Sequence, residues 1–559
     1  MKNIYLYLLI LTVIALSSCS RQENPKEYFI RPCEFICDYP FDEVNKYAVT
    51  CRVWGLLKYY HPNVTAGKVD WDKVLLDILD EIRFSPTRET VNADLKKMLD
   101  AAGQYTYKED RNWNDSMNMN RNLCWIDNSF MDESLRGELR KIASMKVEYP
   151  GHYSIELDSV TRFFVCSNEK TQSVRDNSLL TMFRYWNVIY YFFPYKYKMT
   201  QSWDKTLTQL LPLFMEATGD ISLDVAMKKL AAKIDDGHGG VNTGSYDKYI
   251  IGILETVDNK TVVRKACGGL EKGDIILSVD GRDIRQVRDS MSCITSASNQ
   301  LSKDYLINMY IGGMLYYYGK SIVISRNSRQ INLHLEPPVL ENEDRVPYRK
   351  INDDIGYVDL DIFKREQVKS MFEAFSDTKG IIFDLRNYPK ATNFFFDDII
   401  GYFTDEDRIP YLQFTSADHT HPGAFFWASS DAYGFTPNKY PIRLYHPKYK
   451  GKFVVLTNEC TASAAETATV MYRTAGDATL IGRPTAGANG NVVRIPLPNN
   501  KFAMFSGLGT YNPDRSETQR TGIIPDIEVY PTMESIKIGK DEILEAAIEY
   551  LEKENKVIR

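Results

Sequence analysis

The chain has 559 residues, 44% of them hydrophobic and 25% charged, a mix that excludes a disordered or fibrous protein and leaves room for three or four domains. Its 68 Lys and Arg against 74 Asp and Glu give a net charge of −6 with both signs mixed along the chain, which argues against a nucleic-acid partner. The N-terminus reads MKNIYLYLLILTVIALSSC. Lys2 is a basic start, and Ile4 to Leu16 is an apolar run too short to be a convincing membrane span, so residues 1–18 are expected to be a signal peptide.

Leu16-Ser17-Ser18-Cys19 resembles a bacterial lipobox. The resemblance implies cleavage before Cys19, lipidation of Cys19 and a lipid-anchored polar tether over residues 19–40. The expected location is the cell envelope, on the periplasmic side or the cell surface, with the membrane reached through acyl chains. The competing reading is a plain signal peptide with an incidental Cys. Eight further Cys remain, and an exported protein permits disulfides. Cys33 and Cys37 are close enough to pair with each other or elsewhere. No C-x-x-C or His-rich pattern suggests a metal site, and no cofactor is expected.

Two segments of the first half match at a fixed offset. VWGLLKYYHP with Trp71-Asp72-Lys73 is matched, 132 residues on, by YWNVIYYFFP with Trp203-Asp204-Lys205, and Lys96-Lys97 and Lys228-Lys229 keep that offset. An ancient duplication is the expectation, with one helical copy and its linker over 41–175 and a second copy over 176–245. Apolar spacing at Leu75, Ile78 and Leu79 and at Leu207, Leu211 and Phe214 predicts amphipathic helices. The copies differ where the second ends in Asp235-Asp236-Gly237-His238-Gly239-Gly240; at that offset His238 faces Thr106 and Asp236 faces Gln104. A lone His is usually structural, but this one lies in a Gly-rich turn where backbone can approach a site closely.

Residues 246–340 read as a small β domain. Ile250–Leu254, Thr261–Val263 and a buried Ile275–Val279 are predicted strands, with turns at Gly273 and Asp280-Gly281. The run Gly269-Leu270-Glu271-Lys272-Gly273-Asp274-Ile275-Ile276-Leu277-Ser278-Val279-Asp280-Gly281 resembles a PDZ domain. The resemblance implies peptide capture along Ile251, Gly252 and Ile253 by strand addition. The alternative is a module that only packs between its neighbours.

Residues 350–540 read as α/β, followed by a C-terminal helix over 541–559. Gly356–Leu360, Gly380–Leu385 and Phe453–Leu456 are predicted strands, and Ala464–Met471 a helix. Ser463 stands at the corner between strand and helix. Ser463-Ala464-Ala465-Glu466 matches a capping box; the same serine at a helix N-terminus also has the setting of a nucleophile.

The order of motifs resembles the C-terminal-processing (tail-specific) serine peptidases: a PDZ-like module, Asp384-Leu385-Arg386-Asn387-Tyr388-Pro389, Thr461-Ala462-Ser463-Ala464-Ala465-Glu466, then Gly522-Ile523-Ile524-Pro525-Asp526-Ile527. That family implies a crotonase/Clp-protease-like spiral of β-β-α units, within a multidomain α/β chain. Its matching nucleophile is Ser463. One branch pairs the Ser with a Lys about twenty-five residues on; here no Lys occurs between Lys452 and Lys501. The resemblance therefore points to the tricorn-core and retinoid-binding-protein branch, with His238 as base and Glu517 as the acid that orients it. Gly237 stands where the tricorn core has a Ser. The oxyanion hole is expected from the Ala464 N–H and from the loop at Lys390-Ala391, where the family usually has Gly-Gly. His419 and His421 fall in a loop expected at the surface or in the cleft.

The implied function is a serine endopeptidase for envelope or extracellular proteins and peptides, with PDZ-assisted capture of substrate, C-terminal tails among them. The alternatives are an impaired peptide- or lipophilic-ligand-binding protein on the same scaffold, and an envelope scaffold acting through the PDZ-like module and helical repeat.

Overall fold

The computed structural model describes residues 39–110, 120–157, 164–166, 168–171, 178–242, 252–317, 321–335, 345–389, 396–430, 436 and 440–557. Cys19, Ile251, Lys390 and Ala391 lie outside them.

The first half is helical. Helix Trp71–Phe84 buries Trp71, Leu75, Ile78, Leu79 and Ile82, one stripe at helical spacing, and Asp70 caps its start by accepting the Lys73 N–H at 3.3 Å. Helices Glu43–Tyr60 and Ser178–Phe192 are instead buried nearly all round. They meet where Gly55 lies against Asn187; a Cβ at Gly55 would fall 1.7 Å from Asn187 Oδ1, so only Gly permits the approach. Trp54 Nε1–H donates to the Trp71 carbonyl (3.1 Å) and Trp71 Nε1–H to the Trp54 carbonyl (3.0 Å). Trp186 and Trp203 form the same reciprocal clasp at 3.1 and 2.9 Å. Across the two segments, buried Arg52 pairs with Asp204 at 2.7 Å and buried Arg184 with Asp72 at 2.8 Å. Each contact has its counterpart at the sequence offset, so the segments face each other as two halves of an isologous interface do.

The next module is antiparallel, with strands in the order Leu254–Val257, Lys260–Val263, Ile275–Val279, Ser321–Arg326, Arg329–His334. Its hairpins turn through adjacent residues of positive φ, Asp258 (49°) with Asn259 (58°) and Asp280 (49°) with Gly281 (73°), as primed turns require. Of the strand expected over Ile250–Leu254, Ile250 and Ile251 lie outside the described residues, and the described strand runs from Leu254 to Val257. Ile253 is fully buried in the module's core, and its carbonyl accepts the Arg264 N–H at 2.7 Å. Its side chain is therefore core, not a peptide contact; Gly252 (φ 77°) turns the chain into the strand.

The third region carries a six-stranded sheet in the order Tyr348–Asn352, Ile355–Asp359, Gly380–Asp384, Lys452–Thr457, Thr479–Gly482, Ile527–Glu528. The first pair is antiparallel and the rest parallel. Both faces are covered, which explains the unbroken apolar runs. Phe383 and Val455 pack with helix Ala464–Gly476, while Ile382, Val454 and Leu456 pack under Ile543, Ala547 and Leu551 of helix Glu542–Val557.

A second sheet joins this region to the helical one. Its order is Glu156–Leu157, Phe164–Val165, Val492–Leu497, Lys501–Ser506, Gly240–Asn242. The pairing Met504↔Gly240 sets the turn carrying His238 beside Ser506. His419 and His421 stand in the loop that joins strands Gln413–Ala417 and Phe425–Trp427 of a hairpin, whose first strand also pairs with Gly509–Tyr511.

Candidate active site

Ser463 follows strand Lys452–Thr457 through a turn braced by its own polar residues. The Asn458 N–H donates to Thr461 Oγ1 (3.1 Å), and Thr461 Oγ1 donates to the Leu385 carbonyl (2.8 Å). Ser463 itself has φ 54° and ψ −120°. This is glycine territory for an L-residue, a strain of about 1–3 kcal/mol that persists only where surroundings impose it. Its side chain makes no capping hydrogen bond. The capping-box reading of Ser463 and Glu466 holds in half: the hydroxyl does not cap the helix, while the Glu466 carboxylate accepts from the Ser463 N–H.

Glu466 has a further task. It is fully buried and accepts from the Gly487 and Ala488 N–H groups, both at 2.8 Å, and from Thr485 Oγ1. Burial pushes its carboxyl up to about 7, against the pull of those donors. The loop so held returns its Ala488 carbonyl to the Ser463 N–H at 2.8 Å, fixing the strained corner. Ala464 opens the helix, so its N–H has no acceptor within the helix.

His238 reaches the site from the helical region. Left-handed Asp235 (φ 52°) ends the last turn after helix Asp220–Ala231 and reverses the chain. A Cβ at Gly237 would lie 2.5 Å from the Ala488 Cβ, so the His238 turn packs directly on the residue that holds Ser463. A serine at 237 would not fit there. The hydroxyl missing at that position is supplied by Ser506, whose Oγ lies 2.8 Å from His238 Nδ1. Ser506 is held by fully buried Asp236: its N–H donates to Oδ2 at 2.6 Å and its Oγ donates to Oδ1 at 2.9 Å. With the single hydroxyl proton given to the carboxylate, Ser506 Oγ accepts from Nδ1–H, and His238 Nε2 keeps its lone pair. Gln519 Nε2 also donates to Asp236 Oδ1, at 3.3 Å. Burial lowers the His238 pKa below the ordinary 6.5, with Asp236 opposing the shift.

Glu517 does not take part in this chain of bonds. Its carboxylate accepts from Tyr197 Oη and pairs with Lys198. The acid bonded towards His238 is Asp236, through Ser506. Glu517→Gln is therefore expected to keep kcat/KM within about threefold of wild type, measured on any peptide the protein cleaves. A loss of two orders of magnitude would restore Glu517 to the site.

The sequence reading named Ser463, His238 and Ala464; it missed Asp236, Ser506, Gln519 and Glu466. Asp236 was visible beside His238, but nothing in the sequence joins residue 236 to 506. No direct hydrogen bond joins Ser463 Oγ to His238 in this structure; such bonds often tighten only when substrate arrives. The β module abuts the same corner. Arg483 bridges Glu255 of that module (3.0 Å) and Glu459 of the nucleophile turn (2.7 Å), and burial pushes Glu459 up to about 7.

A strained serine at a strand-to-helix corner, with an imidazole oriented through a buried acid nearby, defines the class: a serine-nucleophile hydrolase on an α/β fold. Residues 354–529 match the model of Peptidase family S41. Among solved structures, mature CPAF complexed with lactacystin is similar at 14% identity and a TM-score of 0.51, over 68% of this chain and 98% of that one. A putative peptidase from Parabacteroides merdae ATCC 43184 matches at 19% identity and a TM-score of 0.41, over 66% of this chain and 95% of that one. The photosystem II D1 C-terminal processing protease matches at 17% and 0.37, over 66% and 99%. No curated protein sequence matches the chain.

Proposed function

We propose that this chain is a serine endopeptidase in which Ser463 is the nucleophile, His238 the general base and Asp236, through Ser506, the acid that orients it. The observation that carries the reading is the bonded series Asp236–Ser506–His238, packed through Gly237 on the residue that fixes Ser463.

Ser463 Oγ attacks the peptide carbonyl while His238 Nε2 takes its proton. The Ala464 N–H faces the charge that develops on the carbonyl oxygen. The imidazolium is stabilised by Nδ1–H donating to Ser506 Oγ, whose own proton stays with Asp236. Nε2 then protonates the leaving amine, and water attacks the acyl-serine with His238 again as base.

His238 must be neutral to act. Because burial lowers its pKa below 6.5, it is already deprotonated at neutral pH, and kcat/KM rises on the acid side with a midpoint below 6.5 and stays flat through pH 7. A midpoint above 7 would contradict this assignment of the base. Release of fluorescent peptides from labelled casein, lost in Ser463→Ala, tests the activity itself.

Three further features belong to the same reading. The primed turns and the half-buried Ile275–Val279 strand support a PDZ-like module that delivers extended peptides, and the Arg483 bridge would link it to the Ser463 turn. The reciprocal Trp clasps and Arg–Asp pairs support descent of the helical region from a duplicated unit. Cys124 is held in a disulfide, which supports an oxidising compartment and with it export and envelope anchoring through Cys19.

A further inference from the structure

A cavity of about 300 Å³ lies where the helical region meets the peptidase domain. Ile155 and Phe192 come to it from the first half of the chain, and Val493, Leu508 and Phe426 from the second. Its wall is continuous with the catalytic series. Gly507 and Leu508 follow Ser506 directly, and the Gly507 N–H donates to the Asn491 carbonyl at 2.9 Å. Leu508 packs in the same cluster as Ala465, in the first turn of the helix that Ser463 opens. His419 completes the wall, its ring stacked on Tyr149 (centroids 4.8 Å apart) and on Phe192 (5.7 Å).

No Lys, Arg, Asp or Glu lines the cavity among the described residues. A charged side chain entering it would lose water and find no opposite charge. His419 offers no such charge at pH 7, since burial lowers its pKa below 6.5. Ser416, Ser429, Ser430 and Asn491 add uncharged polar lining, while Phe192, Val493 and Leu508 are nearly solvent-free apolar walls that a small side chain would leave unfilled.

We propose that this cavity is the specificity pocket of the peptidase and takes a large uncharged side chain, aromatic or long aliphatic, from a residue flanking the scissile bond. The proposal rests on Ser463 being the nucleophile. It gives the helical region a second duty beyond supplying His238: Phe192 and Ile155 help to select what is cut.

The test uses the full chain and a panel of internally quenched peptides that carry Ala, Leu, Phe, Tyr, Lys or Glu at each position flanking the cleaved bond. Rates are normalised to the active sites titrated by a small fluorophosphonate. At one flanking position Phe, Tyr and Leu should exceed Ala in kcat/KM by roughly tenfold or more, with Lys and Glu lowest. Ala428→Trp, which fills the cavity from its half-exposed rim, should bring the Phe-to-Ala ratio to within about threefold of unity. Phe426→Ala, which removes an exposed wall and leaves the core intact, should lower the same ratio. Equal normalised rates for Phe, Ala and Lys, or a ratio unchanged in both variants, would overturn the pocket while leaving the nucleophile in place. A fluorophosphonate that titrates no serine would instead overturn the nucleophile, and the pocket with it.

Discussion

Ser463→Ala should lower kcat by about 10⁴-fold or more while leaving the thermal midpoint nearly unchanged. The chemistry has no substitute for this oxygen. The fold, in contrast, does not depend on it, because the hydroxyl makes no cap to the helix it precedes. A Ser that was capping would cost about 1 kcal/mol of stability on mutation to Ala. The backbone carries the opposite signature. At φ 54° and ψ −120° an L-residue is strained, so Ser463→Gly should raise stability by about 1 kcal/mol or more as it removes activity. Scanning calorimetry with a peptide assay checks both. A marked loss of stability in Ser463→Ala with activity retained would assign the residue to the helix end.

Asp236→Asn should be nearly as damaging, with kcat falling by about 10²–10⁴-fold. Asp236 accepts from the Ser506 N–H, from Ser506 Oγ, from the His238 N–H at 3.3 Å and from Gln519. An amide turns one acceptor into a donor that faces donors, and Ser506 Oγ must then redirect its proton towards Nδ1. That reverses the tautomer and places the imidazole proton on Nε2, where the base must be free. A structural defect alone would lower activity without moving the pH profile. Here the negative charge that raises the His238 pKa is also removed, so the acid limb should shift to lower pH in the variant. An unshifted limb would mean that Asp236 only holds the turn. Ser506→Ala should follow the same direction with a smaller loss, since it cuts the series but leaves the carboxylate in place.

The two halves of the site were unequally legible in the sequence. The strand, turn and helix around Ser463 are local patterns, with Phe453–Leu456 apolar and Ala464 onward favouring helix, but those patterns suit a helix cap equally, and the nucleophile reading rests on the motif order that resembles the tail-specific peptidases. His238 was readable from the Gly-rich turn that ends the second helical copy. Asp236's partnership was not, because it depends on Met504 pairing with Gly240, a contact between residues more than 260 positions apart in a sheet whose strands come from both halves of the chain. Glu517 was chosen for its charge and its nearness to the Gly522 motif; the fold turned it toward Lys198, and the uncharged Gln519 two residues on reaches Asp236 instead. The glutamate at position 466 stands at the acidic position of a capping box and bonds the Ser463 N–H as that pattern expects. Its burial let backbone N–H groups at 487 and 488 claim it, which no one-dimensional pattern records. The matching segments of the first half, by contrast, are plain in the sequence because their markers are large and keep the 132-residue offset without a gap.

The central claim is that Ser463 is a nucleophile activated by His238. Its most direct test is labelling of the intact protein with a fluorophosphonate, followed by mass mapping of the modified peptide. The adduct should lie on Ser463 in the wild type, and its rate of formation should fall by at least about a hundredfold in His238→Ala and Asp236→Asn. An adduct on another residue, or labelling of Ser463 at an unchanged rate in both variants, would contradict it.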